Sequence, residues 1–195
     1  DTINALEKIS TEIQRGLMET RMVPIEGIFN RYKRIGRDIA QQVGKEITLE
    51  IVGAETELDK KIIDSVGEPL THMVRNAIDH GIEDGPTRER LGKPRAGRLV
   101  LSARHSGNNI CIEIADDGRG MDPQAIARAA VERRLIDANR AGQLSDDEKL
   151  RLIFLPGFST AKQVTDLSGR GVGMDLVLTM ISGLSGVVEI KSVLG

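Results

Sequence analysis

Leu70-Thr71-His72-Met73-Val74-Arg75-Asn76-Ala77-Ile78-Asp79-His80-Gly81-Ile82-Glu83 is the stretch on which the reading of this chain turns. At about 100° per residue, a helix over Leu70–Ile82 gathers His72, Asn76 and Asp79 into one narrow arc flanked by Arg75 and His80. Leu70, Val74, Ala77 and Ile78 fall on the opposite side, where they can pack on a sheet. The polar arc carries two His, one Asn, one Asp and one Arg, with no Lys or Glu. Asn and Asp are poor formers of helix interior, so the helix tolerates them at a cost. A Mg²⁺ ion wants hard oxygen ligands, keeps several waters and takes the rest from phosphates. An Asn carbonyl supplies one such oxygen without adding negative charge, while Arg75 and an imidazole can steady phosphate oxygens. Taken alone, the arc is as compatible with an ordinary solvated face as with a site.

Working outward, Ile3, Leu6, Ile13 and Leu17 follow three-four spacing, with Ser10 and Thr20 on the same seam, and predict a helix over residues 1–22 ended by Pro24. A second helix is expected over Ile25–Val43, stopped by Gly44. Alternation of Ile47, Leu49 and Ile51 predicts a strand over Glu46–Val52. Asp59 can cap a long helix reaching about Gly81, bent or split at Pro69. The charged, proline-bearing Gly85–Gly97 reads as a surface loop. Two strands follow, Arg98–Arg104 and Asn109–Ala115, joined at Ser106-Gly107-Asn108. Asp122-Pro123 is a helix start, and Ser145-Asp146-Asp147-Glu148 is a capping box. A helix from about Met174 to Ser182 and a strand over Val187–Ser192 complete the pattern. Hairpin strands with helices grouped between them predict an α+β fold, a two-layer α/β sandwich.

Two further motifs bear on chemistry. Asp116-Asp117-Gly118-Arg119-Gly120 stands where a strand ends and a helix is about to begin. A carboxylate there can accept a hydrogen bond from an exocyclic amine such as adenine's, and glycines permit close approach to the backbone. Asp-Gly is equally a common turn. Ser168-Gly169-Arg170-Gly171-Val172-Gly173-Met174 runs straight into a helix, offering N–H groups and the helix dipole to an anion. A flexible linker has the same composition. Upstream, Pro156-Gly157-Phe158-Ser159-Thr160 has the hydroxyls and hinge glycine of a lid.

Together and in this order, helical His-x-x-x-Asn, Asp-x-Gly-x-Gly, Gly-Phe-Ser-Thr and Gly-x-Gly-x-Gly-Met resemble the N, G1, F and G2 boxes of the GHKL ATP-binding superfamily. The wording Leu70–Glu83, Phe154-Leu-Pro-Gly-Phe-Ser-Thr160 and Gly169-Arg-Gly-Val-Gly-Met-Asp175 is similar, within it, to the CheA family of chemotaxis histidine kinases. Arg21-Met22-Val23-Pro24 resembles that family's junction between dimerisation hairpin and kinase domain. The resemblance implies a Bergerat-type ATP-binding fold over residues 24–195, ending before its final strand, preceded by a dimerisation-helix remnant over 1–23. It implies ATP and Mg²⁺ as cofactors, with His72 and Asn76 catalytic and Asn76 also the metal residue. Asp116 would take the adenine amino group, with Gly118 and Gly120 admitting the base. Gly169, Arg170, Gly171, Val172, Gly173 and Met174 would cradle phosphates. Arg75, Asp79 and His80 would flank the triphosphate, and Ser159 and Thr160 would belong to a lid over 155–168. The implied partners are a separate histidine-containing phosphotransfer domain and, through the full-length homodimer, response regulators, an adaptor protein and chemoreceptors.

Composition narrows the alternatives. With 27 basic against 29 acidic residues and only four aromatic ones, no nucleic-acid partner is expected. The single cysteine, Cys111, excludes an internal disulfide. No apolar run approaches the roughly 18 residues of a membrane span and no signal-like segment opens the chain, so the cytoplasm is the expected compartment. An ATP-hydrolysing relative of the topoisomerase, Hsp90 or MutL type would carry Glu four residues before the Asn, where this chain has His72. A non-catalytic nucleotide-binding scaffold is the remaining alternative.

Overall fold

The computed structural model describes residues 21–159 and 173–195. The helix expected over 1–22 lies almost entirely outside them, and where the description begins the chain is not helical. Met22–Pro24 forms strand β1, antiparallel to β3 (Glu57–Asp59), with Val23 opposite Leu58. Pro24 therefore closes an edge strand, where its missing N–H costs no ladder bond, and the strand straddles the expected division at residue 23. Helix α1 (Glu26–Gln42) follows, close to its expected bounds.

Three strands make the main sheet: β2 (Ile47–Val52), β4 (Gly97–Ser106) and β5 (Asn109–Asp116), ordered β2-β4-β5. The central strand pairs in parallel with β2 and antiparallel with β5, Leu101 lying opposite both Ile51 and Ile114. The hairpin turn is Gly107-Asn108, with Gly107 at φ +60°, the conformation a two-residue connection asks of its first residue.

Against one face lie α1 and α2 (Lys60–Asn76). Asp59 caps α2, accepting from the Lys61 N–H at 2.7 Å. Of the expected bend or split at Pro69 the split does not occur: α2 runs unbroken through this residue, which is buried. Phe29, Tyr32, Ile39 and Ala40 of α1 meet Val66, Leu70 and Val74 of α2 and Leu99, Leu101 and Ala103 of β4 in one core. Ile110, Ile112 and Ile114 join it from β5, as their alternation predicts. The Tyr32 hydroxyl donates to the Gly67 carbonyl at 2.6 Å, tying the two helices together.

Two expectations fail. Residues 85–97 are not simply a loop: Gly85–Arg90 is helix α3, capped by Asp84 and carrying a completely buried Arg88. Charge density alone marks solvated surface, but here the charges satisfy one another inside. Val187–Ser192 is not a strand. Its neighbourhood sends hydrogen bonds to the segment after β5: the Met121 N–H donates to Ser192 Oγ at 2.8 Å, and the Gly195 N–H to the Arg119 carbonyl at 3.2 Å.

A small second cluster stands apart. Helices α4 (Pro123–Glu132), α5 (Ala138–Gln143) and α6 (Asp146–Arg151), with a 3₁₀ turn Leu152–Phe154, pack Ala127, Ala130 and Leu152 against Leu135, Leu155 and Phe158. The Asp122 cap with Pro123, and the Ser145–Glu148 capping box, form as predicted. Helix α7 (Met174–Gly183) then returns to the main core, reaching it through Ile181.

Candidate functional site

The polar arc stands at the C-terminal end of α2, and the helix does not stay regular there. Ala77–Gly81 forms one π-helical turn, in which the Ile82 N–H reaches back five residues to the Ala77 carbonyl at 2.8 Å. The wider turn keeps Ile78 buried while Asp79 and His80 face outward. From the segment after α1, the Lys45 ammonium donates to the Ile78 and Asp79 carbonyls at 2.9 and 2.6 Å. Burial holds Lys45 below the ordinary lysine range, and Asp79 opposes that shift. Lys45→Met leaves both carbonyls short of their donor and is expected to cost about 1–3 kcal/mol. Urea unfolding measures this; Lys45→Arg should recover part of the loss.

The π-turn ends against the loop that follows β5. The Arg119 N–H donates to the Gly81 carbonyl at 2.9 Å, and the Gly118 N–H to Asp116 Oδ1 at 3.0 Å. A Cβ on Gly81 would stand 3.1 Å from Asp116 Oδ1, and one on Gly118 would collide with the Gly81 carbonyl. Gly120, at φ +69°, is likewise closed off by the Val193 carbonyl. These glycines are thus required by the contact of loop, π-turn and C-terminal segment.

Asp116 is exposed to solvent, although its carboxylate lies against Gly81 and accepts from the Gly118 N–H. Partial burial raises its carboxyl above the ordinary aspartate range; Asp117 and Glu83 add to this, while the Gly118 N–H and Lys93 oppose it. The folded state therefore binds this proton more readily than the unfolded chain, so the ionised form counts against folding once pH exceeds the raised value. Asp116→Asn, which can still accept from Gly118, is accordingly expected to leave stability at pH 7 unchanged or higher by up to about 0.5 kcal/mol. Any advantage should vanish on acidification below the unfolded value near 3.8. Chemical denaturation at the two pH values tests this.

On the other flank α2 meets the start of α7. The Asn76 amide nitrogen donates to the Met174 sulfur at 3.2 Å, leaving the amide oxygen as the atom available for a ligand. His72, one turn earlier and half-buried, is held below the ordinary histidine range by burial, then by Arg75 and His80, with Asp175 of α7 opposing. Its surroundings therefore favour the neutral imidazole. His80 is exposed, 3.9 Å from the Asp79 carboxylate. Gly173 caps α7, and a Cβ there would come within 3.8 Å of Ser159. The Arg133 guanidinium, 5.1 Å from the Phe158 ring centroid, anchors the segment just before Ser159.

The structure thus gathers His72, Arg75, Asn76, Asp79, His80, Asp116, Gly118, Gly120, Ser159, Gly173 and Met174 about one end of the sandwich. Thr160, Gly169, Arg170, Gly171 and Val172, with most of the expected lid, lie outside the described residues. Among the described residues no group of three or more His, Cys, Asp or Glu could hold a metal unaided. A single neutral amide oxygen suits an ion that draws most of its shell from water and phosphate, so the residues present fit Mg²⁺ carried in with a polyphosphate. A cleft of about 510 Å³ between α1 and β2, lined by Lys33, Arg37 and Leu49, shares only Lys45 with this region. It has no carboxylate to recognise a base. Sequence does not single out Lys45, Arg88 or Asp175: Lys45 stands in the connection between the Gly44 helix stop and the next strand, Arg88 sits in a charged stretch, and Asp175 reads as a first-turn acid of α7.

Comparison with known proteins identifies the family. Residues 65–195 match the family described as histidine kinase-, DNA gyrase B-, and HSP90-like ATPase. The chain is 47% identical over its whole length to the chemotaxis protein CheA of Bacillus subtilis (strain 168), covering 29% of that protein. It is 47% identical over 99% of its length to the sensor histidine kinase CheAY of Helicobacter pylori, covering 24% of it. Against the chemotaxis protein CheA of Treponema pallidum the identity is 49% over 96% of the chain and 23% of that protein. The chain spans between a fifth and a third of the length of these relatives. By the match over residues 65–195, it belongs to the family of histidine kinase-, DNA gyrase B- and HSP90-like ATPases.

Proposed function

We propose that this chain is the ATP-binding catalytic domain of a CheA-type histidine kinase, transferring the γ-phosphoryl group of ATP to a histidine on a separate phosphotransfer domain. Nucleotide binding comes with the family; the acceptor and the partners belong to this proposal. The observation that carries it is the convergence of three separate segments, the end of α2, the loop after β5 and the start of α7. Phosphoryl transfer asks a protein mainly for positioning and charge stabilisation, and such a convergence supplies both.

In this reading Asp116 accepts from the adenine amino group, held in place by the Gly118 N–H on its other oxygen. Asn76 offers its amide oxygen to Mg²⁺, its nitrogen being engaged by Met174. Bound there, Mg²⁺ would neutralise phosphate charge. Arg75 and His80 steady phosphate oxygens, and the N-terminal turn of α7 offers its dipole and N–H groups to them. Neutral His72 stands nearest the γ-phosphoryl group, where a carboxylate would suit a dedicated hydrolase; the imidazole favours transfer. Among the described residues no helix is long and apolar enough to cross a membrane, and the cytoplasm is the compartment we propose. Response regulators, an adaptor protein and chemoreceptors, engaged through a full-length homodimer, complete it.

The test supplies labelled ATP and Mg²⁺ to this chain with a separately produced histidine phosphotransfer domain. Label is expected on that domain, lost when its acceptor histidine is replaced. Release of inorganic phosphate with no labelled domain would favour the hydrolase instead.

A further inference from the structure

We propose that Arg88 and Lys93 are positioning residues for nucleotide recognition, clamping from behind the loop that carries Asp116. The inference rests on the nucleotide reading above and adds to it the residues that fix the base-recognising carboxylate.

Arg88 is completely buried, though the cost of taking a guanidinium out of water is high unless it is paired and hydrogen-bonded. Here it is both. Its Nη2 lies 2.7 Å from Asp117 Oδ2 and its Nη1 3.1 Å from Glu83 Oε2. Nη1 also donates to the Asp117 carbonyl at 3.2 Å, and Nε to the Pro94 carbonyl at 2.7 Å. Lys93 completes the clamp: its ammonium lies 3.1 Å from Glu83 Oε1 and donates to the Asp117 and Gly118 carbonyls at 3.2 and 2.9 Å. The remaining oxygen of Asp117 accepts from the Arg98 N–H at 2.8 Å.

Two features separate this network from a merely stabilising ion pair. First, three of its bonds end on the carbonyls of Asp117 and Gly118, the two residues that follow Asp116, so it sets the path of the backbone from which that carboxylate projects. Second, Glu83 and Asp117 are the acids whose charges work against ionised Asp116, and Lys93 works for it. Burial would raise the Glu83 carboxyl, but its own N–H, Lys93 and Arg88 together hold it below the ordinary range, so it stays charged and needs these cations. Arg88 and Lys93 therefore fix the backbone path from which the group that meets the base projects, and Lys93 also favours its charged form.

The experiment compares binding of ATP and of inorganic triphosphate, each with Mg²⁺, to wild type, Lys93→Met, Arg88→Met, Arg88→Lys and Asp116→Asn, with thermal unfolding followed in parallel. Lys93→Met is expected to weaken ATP about tenfold while leaving triphosphate within about twofold, the loss that misplacement of a binding group gives. Arg88→Met should do the same more strongly if it folds, and Arg88→Lys should recover part of it. Should Arg88→Met unfold, Lys93→Met decides, since its side chain reaches the surface. Equal weakening of both ligands, or unchanged ATP binding in Lys93→Met and Arg88→Lys, overturns the inference. If Asp116→Asn also binds ATP like wild type, the adenine reading itself has failed; if only Asp116→Asn is impaired, that reading stands and the clamp does not.

Discussion

Asn76→Ala is expected to lower phosphoryl transfer to a separately supplied phosphotransfer domain by about 10²–10³-fold, the usual loss when a group stabilising transition-state charge is removed. The protein should remain folded. Asn76 is only partly buried, its amide bonds to the Met174 sulfur, and Ala is the better helix former by roughly 0.6 kcal/mol. The substitution therefore separates function from stability. Binding of ATP without Mg²⁺ should stay within a few-fold of wild type, because Asp116 and the loop after β5 are untouched. Binding with Mg²⁺ should lose most of the metal's contribution. Initial rates of label transfer at saturating ATP give the first number and calorimetry the second. A variant that transfers phosphate at the wild-type rate would remove Asn76 from the proposed chemistry.

Gly118→Ala should be the most damaging small substitution in the site. The added methyl would fall on the Gly81 carbonyl, and backbone cannot swing aside as a side chain can. Either the loop or the π-turn must move, breaking the bond from the Arg119 N–H to Gly81 and redirecting Asp116. Overpacking of this kind costs about 1–3 kcal/mol, which for a chain of this size lowers Tm by roughly 3–10 °C. ATP affinity should fall at least about tenfold, since a displaced carboxylate no longer meets the purine amine. A melting curve and an ATP titration of the same sample check both. Wild-type values in each would mean that the Gly81–Gly118 contact is not what holds the site.

The sequence made the sandwich legible because its strands alternate and its helix caps are chemically explicit. Ile47, Leu49 and Ile51, or Ile110, Ile112 and Ile114, leave no choice of face, and Asp59, Asp122 and Ser145 each cap the helix they promise. The candidate site residues stand out by composition, since Asn and Asp on a helix face ask for a reason other than propensity. That face alone reads equally as solvated surface; what the structure adds is its contact with the loop after β5 and with α7. The irregular parts were not legible. A π-turn over Ala77–Gly81 is fixed by tertiary partners, Lys45 and the loop after β5, which no local pattern announces. Arg88 illustrates the same limit: in a charged stretch it reads as solvated, and only the approach of Asp117 and Glu83 makes its burial affordable. Gly118 and Gly120, read from sequence as room for a ligand, also leave room for other backbone, the Gly81 and Val193 carbonyls. The segment 187–195 alternates Val188 and Ile190 with Glu189 and Lys191 as a strand would, yet among the described residues it bonds to the loop after β5, at Arg119 and Met121.

Wild type and Asp116→Asn, each titrated with ATP and with the purine ribonucleoside triphosphate that lacks the 6-amino group, form a cycle that isolates the pairing of carboxylate with amine. Wild type is expected to prefer ATP by about tenfold or more, the discrimination a hydrogen bond to a charged group provides, and Asp116→Asn should lose most of that preference. Equal affinity of the wild-type chain for the two nucleotides, or an undiminished preference in the variant, would contradict a site in which Asp116 reads the base.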